Sequence, residues 1–201
     1  MKTDLKLDKA LGIADLAVYL SDVNKQLLAQ LDTDNSTIIK PVKRLLKVSG
    51  KQLRPSLVIA CSMINDRSVN SKAIKLASAV ELVHIASLIH DDIIDEAAIR
   101  RGVPTISAIE GVDHAIIIGD YMLAKACSQA AVADLTAGKI VAQTIADLCD
   151  GQSRELADKA NQNRSVNSYF KSIDGKTASL IANACQLGGL SAGLNSRQQQ
   201  A

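Results

Sequence analysis

Apolar residues return at every third or fourth position through most of the chain, the spacing of helices that each bury one face. From about Leu5 to Leu31 they outline a first helix. The polar run DTDNS (32–36) breaks it and supplies a cap for a second helix, which ends near Gly50. A third is predicted from about Pro55, tolerated in a first turn, to Ile64. Beyond the polar turn NDRSVNS (65–71), Lys72 opens the longest and most apolar segment, running to about Ile99 and closed by Gly102 and Pro104. Asp113 is the cap candidate for a fifth helix reaching about Asp134, a sixth spans about Lys139 to Ala160, and a seventh about Ser168 to Leu187. GGLSAGLNS then interrupts the pattern, and RQQQA reads as the first turn of an eighth helix. With neither strand alternation nor an internal repeat evident, the pattern predicts an all-α fold in one domain over residues 1–201. The incomplete last turn leads to the expectation that a longer fold has been cut.

Composition agrees with this picture. The 201 residues suffice for one domain with its own core, and the scarcity of aromatics (one Phe, three Tyr, no Trp) leaves that core to Ala, Leu, Ile and Val. A formal charge of +2, with no basic tract interleaved with aromatics, gives no case for nucleic-acid binding. The start, MKTDLKLDKALG, lacks the apolar stretch of a signal peptide, and without a run of about 20 apolar residues no membrane span is expected. Cys61, Cys127, Cys149 and Cys185 are widely spaced in Ala/Ile/Leu-rich segments and read as reduced core residues of a cytosolic protein.

The chemistry concentrates where the apolar fourth segment ends, in HDDIIDEAAIRRG. On a helix Asp91 and Asp95 share a face one turn apart, with Asp92 offset by about 100°. Aspartate is a poor helix former, like charges one turn apart repel, and the helix C-terminus disfavours each anion by about 0.3–1 kcal/mol. A divalent cation would offset all three penalties, and hard oxygen ligands with open positions suit Mg²⁺ shared with phosphate oxygens. Arg100 and Arg101 follow at once, and guanidinium forks match phosphate. The bland alternative is a solvated acidic helix end. Lys51 and Arg54 in GKQLRP sit at a helix start, itself favourable to anions. Lys176 in DGKTAS lies within a helical segment, where a lone lysine ordinarily faces solvent. Glu81 and His84 have the Glu-x-x-His spacing of di-iron bundles, but the second copy which those need is missing. Alone, His84 reads as a hydrogen-bonded core residue.

Taken together, GKQLRP, ELVHIASLIHDDIIDEAAIRRGVPT, GDYMLAKA, GQSREL and DGKTASLI resemble, in order and spacing, the trans-prenyl diphosphate synthases, in particular the long-chain (hexa- to nonaprenyl) bacterial type. The resemblance implies an isoprenoid-synthase helical bundle around a deep apolar cavity, usually a homodimer, with IIIGDYMLAKA of the fifth helix in the interface. It implies a Mg²⁺-dependent prenyltransferase that condenses isopentenyl diphosphate with an allylic diphosphate. Asp91 and Asp95, supported by Asp92, would hold Mg²⁺ on the allylic diphosphate, which Arg100 and Lys176 also bind. Lys51, Arg54, His84 and Arg101 would bind isopentenyl diphosphate, while Gln152 and Thr177 would line the site near the reacting carbons. Ala86 and Ser87, one turn before Asp91, are small where short-chain members carry bulky aromatics, which implies a long product.

The family's second aspartate-rich motif lies on a helix after the seventh and is not among these residues, so the resemblance leaves two readings: a truncated form whose C-terminal helices are missing, or a short subunit completed by a partner. Poor activity of the 201 residues alone is the expectation. A non-catalytic partner subunit would be expected to lose the acid cluster, which is intact here, and a terpene cyclase would not keep the second set of diphosphate-binding residues.

Overall fold

The computed structural model describes residues 7–47, 50–66 and 68–199. Its centre is helix α5 (Ser71–Ile94), buried without interruption from Leu76 to Val83. Small residues at 77, 78 and 79 let neighbours approach it from all sides. Around it pack α2 (Leu16–Gln30), α4 (Leu53–Ser62), α6 (Ile106–Glu110), α7 (Val112–Ala133), α8 (Leu135–Ala157) and α10 (Ser179–Ser191). By length and composition α5 alone among the described residues passes as a possible membrane span. However, 61% of that apolar window is buried inside the chain, as in a core helix.

The helix starts follow local side-chain chemistry. Asn35 accepts from the Thr37 amide to open α3 (Ser36–Leu46), Asn70 accepts from Ala73 to open α5, and Asp134 accepts from Thr136 and Ala137 to open α8. Asp134 is also the joint between α7 and α8, and its carboxylate takes Lys72 Nζ at 2.6 Å, tying that joint to the start of α5.

Several expected boundaries shift. The first predicted helix is two, α1 (Leu7–Leu11) and α2, because Gly12 at φ +67° turns the chain between them. Asp113 caps nothing: it lies in the first turn of α7, whose N-cap position is Gly111. A short helix, α6, capped by Thr105, precedes it. The fourth helix stops at Ile94 with Asp95 as its C-cap, and an unexpected antiparallel hairpin follows, β1 (Ile99–Arg100) with β2 (Val103–Pro104). Its two-residue turn, Arg101-Gly102, takes positive φ at both positions, as a tight type I′ connection requires. The predicted seventh helix is α9 (Val166–Ile173), then a π-helical turn (Asp174–Ala178), then α10. The final turn, α11, covers Ser196–Gln199.

The cysteine expectation holds only in part. All four are free, but Cys149 is exposed and the others are half-buried. Cys61 on α4 and Cys185 on α10 interact with each other, which pushes the Cys61 thiol up. That contact exists because α4 and α10 run close together at Gly188, where an added Cβ would come within 2.5 Å of the Val58 carbonyl oxygen. Gly188→Ala gains up to about 1 kcal/mol of helix propensity and is expected to lose about 1–3 kcal/mol to overpacking. A net fall in the urea midpoint is the predicted outcome; an unchanged or raised midpoint would show that the two helices separate freely.

Candidate functional site

The end of α5 and the hairpin after it build one wall of the site. Asp92 is 5% exposed, and Arg100 Nε donates to its Oδ1 at 2.6 Å, so the hairpin folds back onto the helix end. The expected offset of Asp92 from its neighbours is real, and it has turned this carboxylate inward. Asp91 is half-buried and Asp95 exposed. Burial pushes the Asp91 carboxyl above the usual range; Lys176 and Arg100 oppose that, and Asp95 and Glu155 add to it. Lys176, distant in sequence, thus comes within electrostatic reach of Asp91.

Lys176 reaches there through the π-turn. Gly151 of α8 and Gly175 of the turn meet backbone to backbone: a Cβ on Gly175 would approach the Asp147 carbonyl oxygen to 2.6 Å, and one on Gly151 would strike the Lys176 amide. The side chain of Lys176 is half-buried and bonded to Glu155 on α8, a partner the sequence reading missed although Glu155 lies inside the quoted GQSREL. Gln152, on the same helix, has a buried Oε1 without a hydrogen-bond partner. Thr177 is exposed and lines an open apolar groove of about 900 Å³ with Phe170, Ile173 and Ile181.

Two turns earlier on α5, on nearly the same face as Asp91, Arg54 Nη1 donates to His84 Nε2 at 3.3 Å. That contact makes Nε2 the unprotonated acceptor. His84 is correspondingly lowered to about 4, by burial first and then by Arg54, Arg101 and Arg100. Arg101 is itself exposed, and its guanidinium lies over Gly50, where a Cβ would meet Nη1 at 2.6 Å. Lys51, next to Gly50 in the chain, is exposed. A partly open cavity of about 50 Å³ lies here, lined by Glu81, His84, Asp92, Arg100 and Arg101 and by Leu27, Ile85 and Ile106 among its apolar walls. Three non-glycine residues take left-handed φ in this region, Gln52 (49°), Glu96 (50°) and Arg101 (53°); such backbone costs of order 1–3 kcal/mol each and clusters at functional sites.

The two residues tied above to product length lie on α5 between His84 and Asp91. Ala86 is fully buried in the core, and Ser87 Oγ donates to the His84 carbonyl of its own helix. Neither lines the cavity beside the arginines.

The polyprenyl synthetase family model matches residues 35–201. The chain belongs to the polyprenyl synthetase family. It is 35% identical over 180 residues to heptaprenyl diphosphate synthase component 2 of Bacillus subtilis, covering 89% of this chain and 51% of that protein. It is 33% identical over 193 residues to nonaprenyl diphosphate synthase of Mycobacterium tuberculosis, covering 96% and 57%. Its fold superposes at a TM-score of 0.89 on a polyprenyl synthase of Caulobacter crescentus complexed with calcium and isoprenyl diphosphate, at 28% identity, covering 97% of this chain and 59% of that one. A decaprenyl diphosphate synthase of Rhodobacter capsulatus gives 0.88 at 28% identity, with coverage of 97% and 59%. The chain thus spans about half the length of the curated relatives it matches.

Two outcomes test this geometry. Arg100→Ala strands a buried carboxylate and is expected to cost near the lower end of about 3–5 kcal/mol in unfolding free energy, since Arg100 is itself partly exposed; a loss well below that would mean Asp92 is rehydrated. The second concerns pH. Between about 4 and 6.5 the unfolded chain protonates His84 while the folded chain does not, so this group makes stability rise with pH. Glu81, raised to about 7 from 4.5, works the other way, and its contribution falls as pH climbs from 4.5 to 7. His84→Gln should leave the Glu81 slope uncovered, so its urea midpoint should drop from pH 4.5 to pH 6.5 more steeply than that of the parent. Parallel slopes would count against the assignment.

Proposed function

We propose that this chain forms the diphosphate-binding half of a Mg²⁺-dependent prenyltransferase which joins isopentenyl diphosphate to an allylic diphosphate and extends it to a long all-trans product. The observation that carries the reading is the arrangement of cations around one helix end. Arg54 and Arg101 gather around neutral His84, Arg100 lines the same cavity, and Lys176 comes within electrostatic reach of Asp91 two turns further along the same helix. Two anionic groups brought to these cations would lie next to each other along the end of one helix.

The residues present fit a magnesium ion in part. Among the described residues no group of three or more His, Cys, Asp or Glu side chains is gathered to hold a metal, so the protein offers no complete cage. Mg²⁺ typically takes one or two carboxylates and fills its shell with water and substrate phosphates. Asp91, whose burial raises its carboxyl, is a group that a cation would relieve, and Asp95 at the C-cap is the second ligand. When bound, the ion supplies charge neutralisation on the departing diphosphate. Arg100 and Lys176 add to it, stabilising negative charge as the allylic carbon–oxygen bond breaks. Arg54 and Arg101 hold isopentenyl diphosphate so that its double bond attacks the allylic cation and a proton then leaves. Gln152 and Thr177 face the reacting carbons in this reading. The long product is supported by the relatives named for heptaprenyl and nonaprenyl chains; buried Ala86 and half-buried Ser87 act as small packing positions under the site rather than as an open floor.

Association of two such chains would use α7, which exposes Val112, Ile116 and Ile117 (50%, 43% and 55%) along one face. A heteromeric assembly is the second reading, favoured by the likeness to a protein named as component 2 of its synthase. The three half-buried, free thiols are compatible with a reducing, cytoplasmic location.

Calorimetric binding tests the site without requiring turnover. Isopentenyl diphosphate is expected to bind the parent chain, and Arg54→Ala to weaken it about 10- to 100-fold, the worth of one charge-assisted hydrogen bond. Mg²⁺-dependent binding of an allylic diphosphate should disappear in Asp91→Asn. Unaltered affinities in both variants would sink the proposal.

A further inference from the structure

Glu81 is a buried acid that the chemistry above leaves unused. It is 7% exposed, and its Oε2 has no hydrogen-bond partner. It lines the small cavity with Arg101 of the hairpin, and Arg54 of α4 lies within its electrostatic reach. His84 lies one turn along its own helix, and the Asp92–Arg100 pair closes the same cavity. None of these cations is within ion-pair distance of Glu81 in the described structure, and Arg54 Nε is likewise buried without a partner. An acid oxygen and a guanidinium nitrogen, each buried without a partner, thus lie within electrostatic reach of one another, an arrangement that costs free energy unless something else enters.

We propose that Glu81 is a positioning residue of the diphosphate site: ionised, it balances the guanidinium groups of Arg54 and Arg101 while the site is empty, and it takes up a proton from solvent when a diphosphate binds between them. This rests on the diphosphate-site reading above. The two guanidinium groups cannot be satisfied at once by a buried carboxylate and by an incoming polyanion without placing like charges in a poorly solvated space. Like charge disfavours ionisation of the carboxyl. A neutral carboxyl has an O–H to donate to a phosphate oxygen, which an ionised one lacks. Burial already raises Glu81 to about 7, with Arg54 and Arg101 pulling it down; an anion that engages those arginines removes that downward pull. Near neutral pH the group therefore stands where a change of neighbour decides its charge.

The sequence contains only four glutamates, Glu81, Glu96, Glu110 and Glu155, so glutamate labelled with ¹³C at the carboxyl gives a spectrum of four resonances. The experiment follows them from pH 5 to pH 9 with and without saturating pyrophosphate, together with the arginine Nε–H signals. Glu81 is assigned by its absence in Glu81→Gln or, if that variant does not fold, by elimination with Glu96→Gln, Glu110→Gln and Glu155→Gln. The expected result is that the arginine signals shift and the Glu81 midpoint rises by a pH unit or more, the other three moving less. Arginine shifts with a Glu81 midpoint that stays put or falls would overturn the positioning role alone. Arginine signals indifferent to pyrophosphate would overturn it together with the diphosphate-site reading.

Discussion

The ion pair between Asp92 and Arg100 holds the functional end of the molecule in place. It joins the last buried turn of α5 to a two-strand hairpin that otherwise has little to pack on. A short hairpin is marginal by itself, and here it is anchored by a charge with only 7% of its side chain exposed. Thr105 adds a second tie, its hydroxyl donating to the Ala97 carbonyl at 2.8 Å. With the hairpin fixed, Arg101 is carried over Gly50 and toward His84. The adjacent acids are then left to different tasks: Asp92 is consumed by structure, whereas Asp91 and Asp95 stay available.

Most of the helical frame was legible because its signals are local. Asn35, Asn70 and Asp134 each accept from an amide two or three residues on, and apolar spacing marks the long helices. The misses have local causes as well. Gly12 splits an otherwise continuous stripe, and the hairpin is too short to show alternation. The π-turn leaves the polar/apolar pattern almost unbroken over one turn, so α9 and α10 read as one rod.

For the site, residue type and spacing around HDDIID located the acids and arginines, and resemblance to a family linked them with GKQLRP and DGKTAS. What no spacing shows is which charges are already engaged. Lys176 is held by Glu155, a contact made between two helices and invisible along the chain. Glu81 was visible as part of a Glu-x-x-His pair, but only burial and the nearness of Arg54 and Arg101 give it a meaning.

The π-turn has one more effect. Its five residues, Asp174–Ala178, insert an extra backbone position into what would otherwise be a continuous α-helix. One surplus residue advances the helix by about 100°. Phe170 therefore points to solvent while Leu180 and Ala184, further along the same rod, point into the core. Removing a single residue from DGKTA would change no chemical group elsewhere, yet would rotate either the outer or the inner half of that rod. The segment's length, as much as its lysine, is thus part of the site.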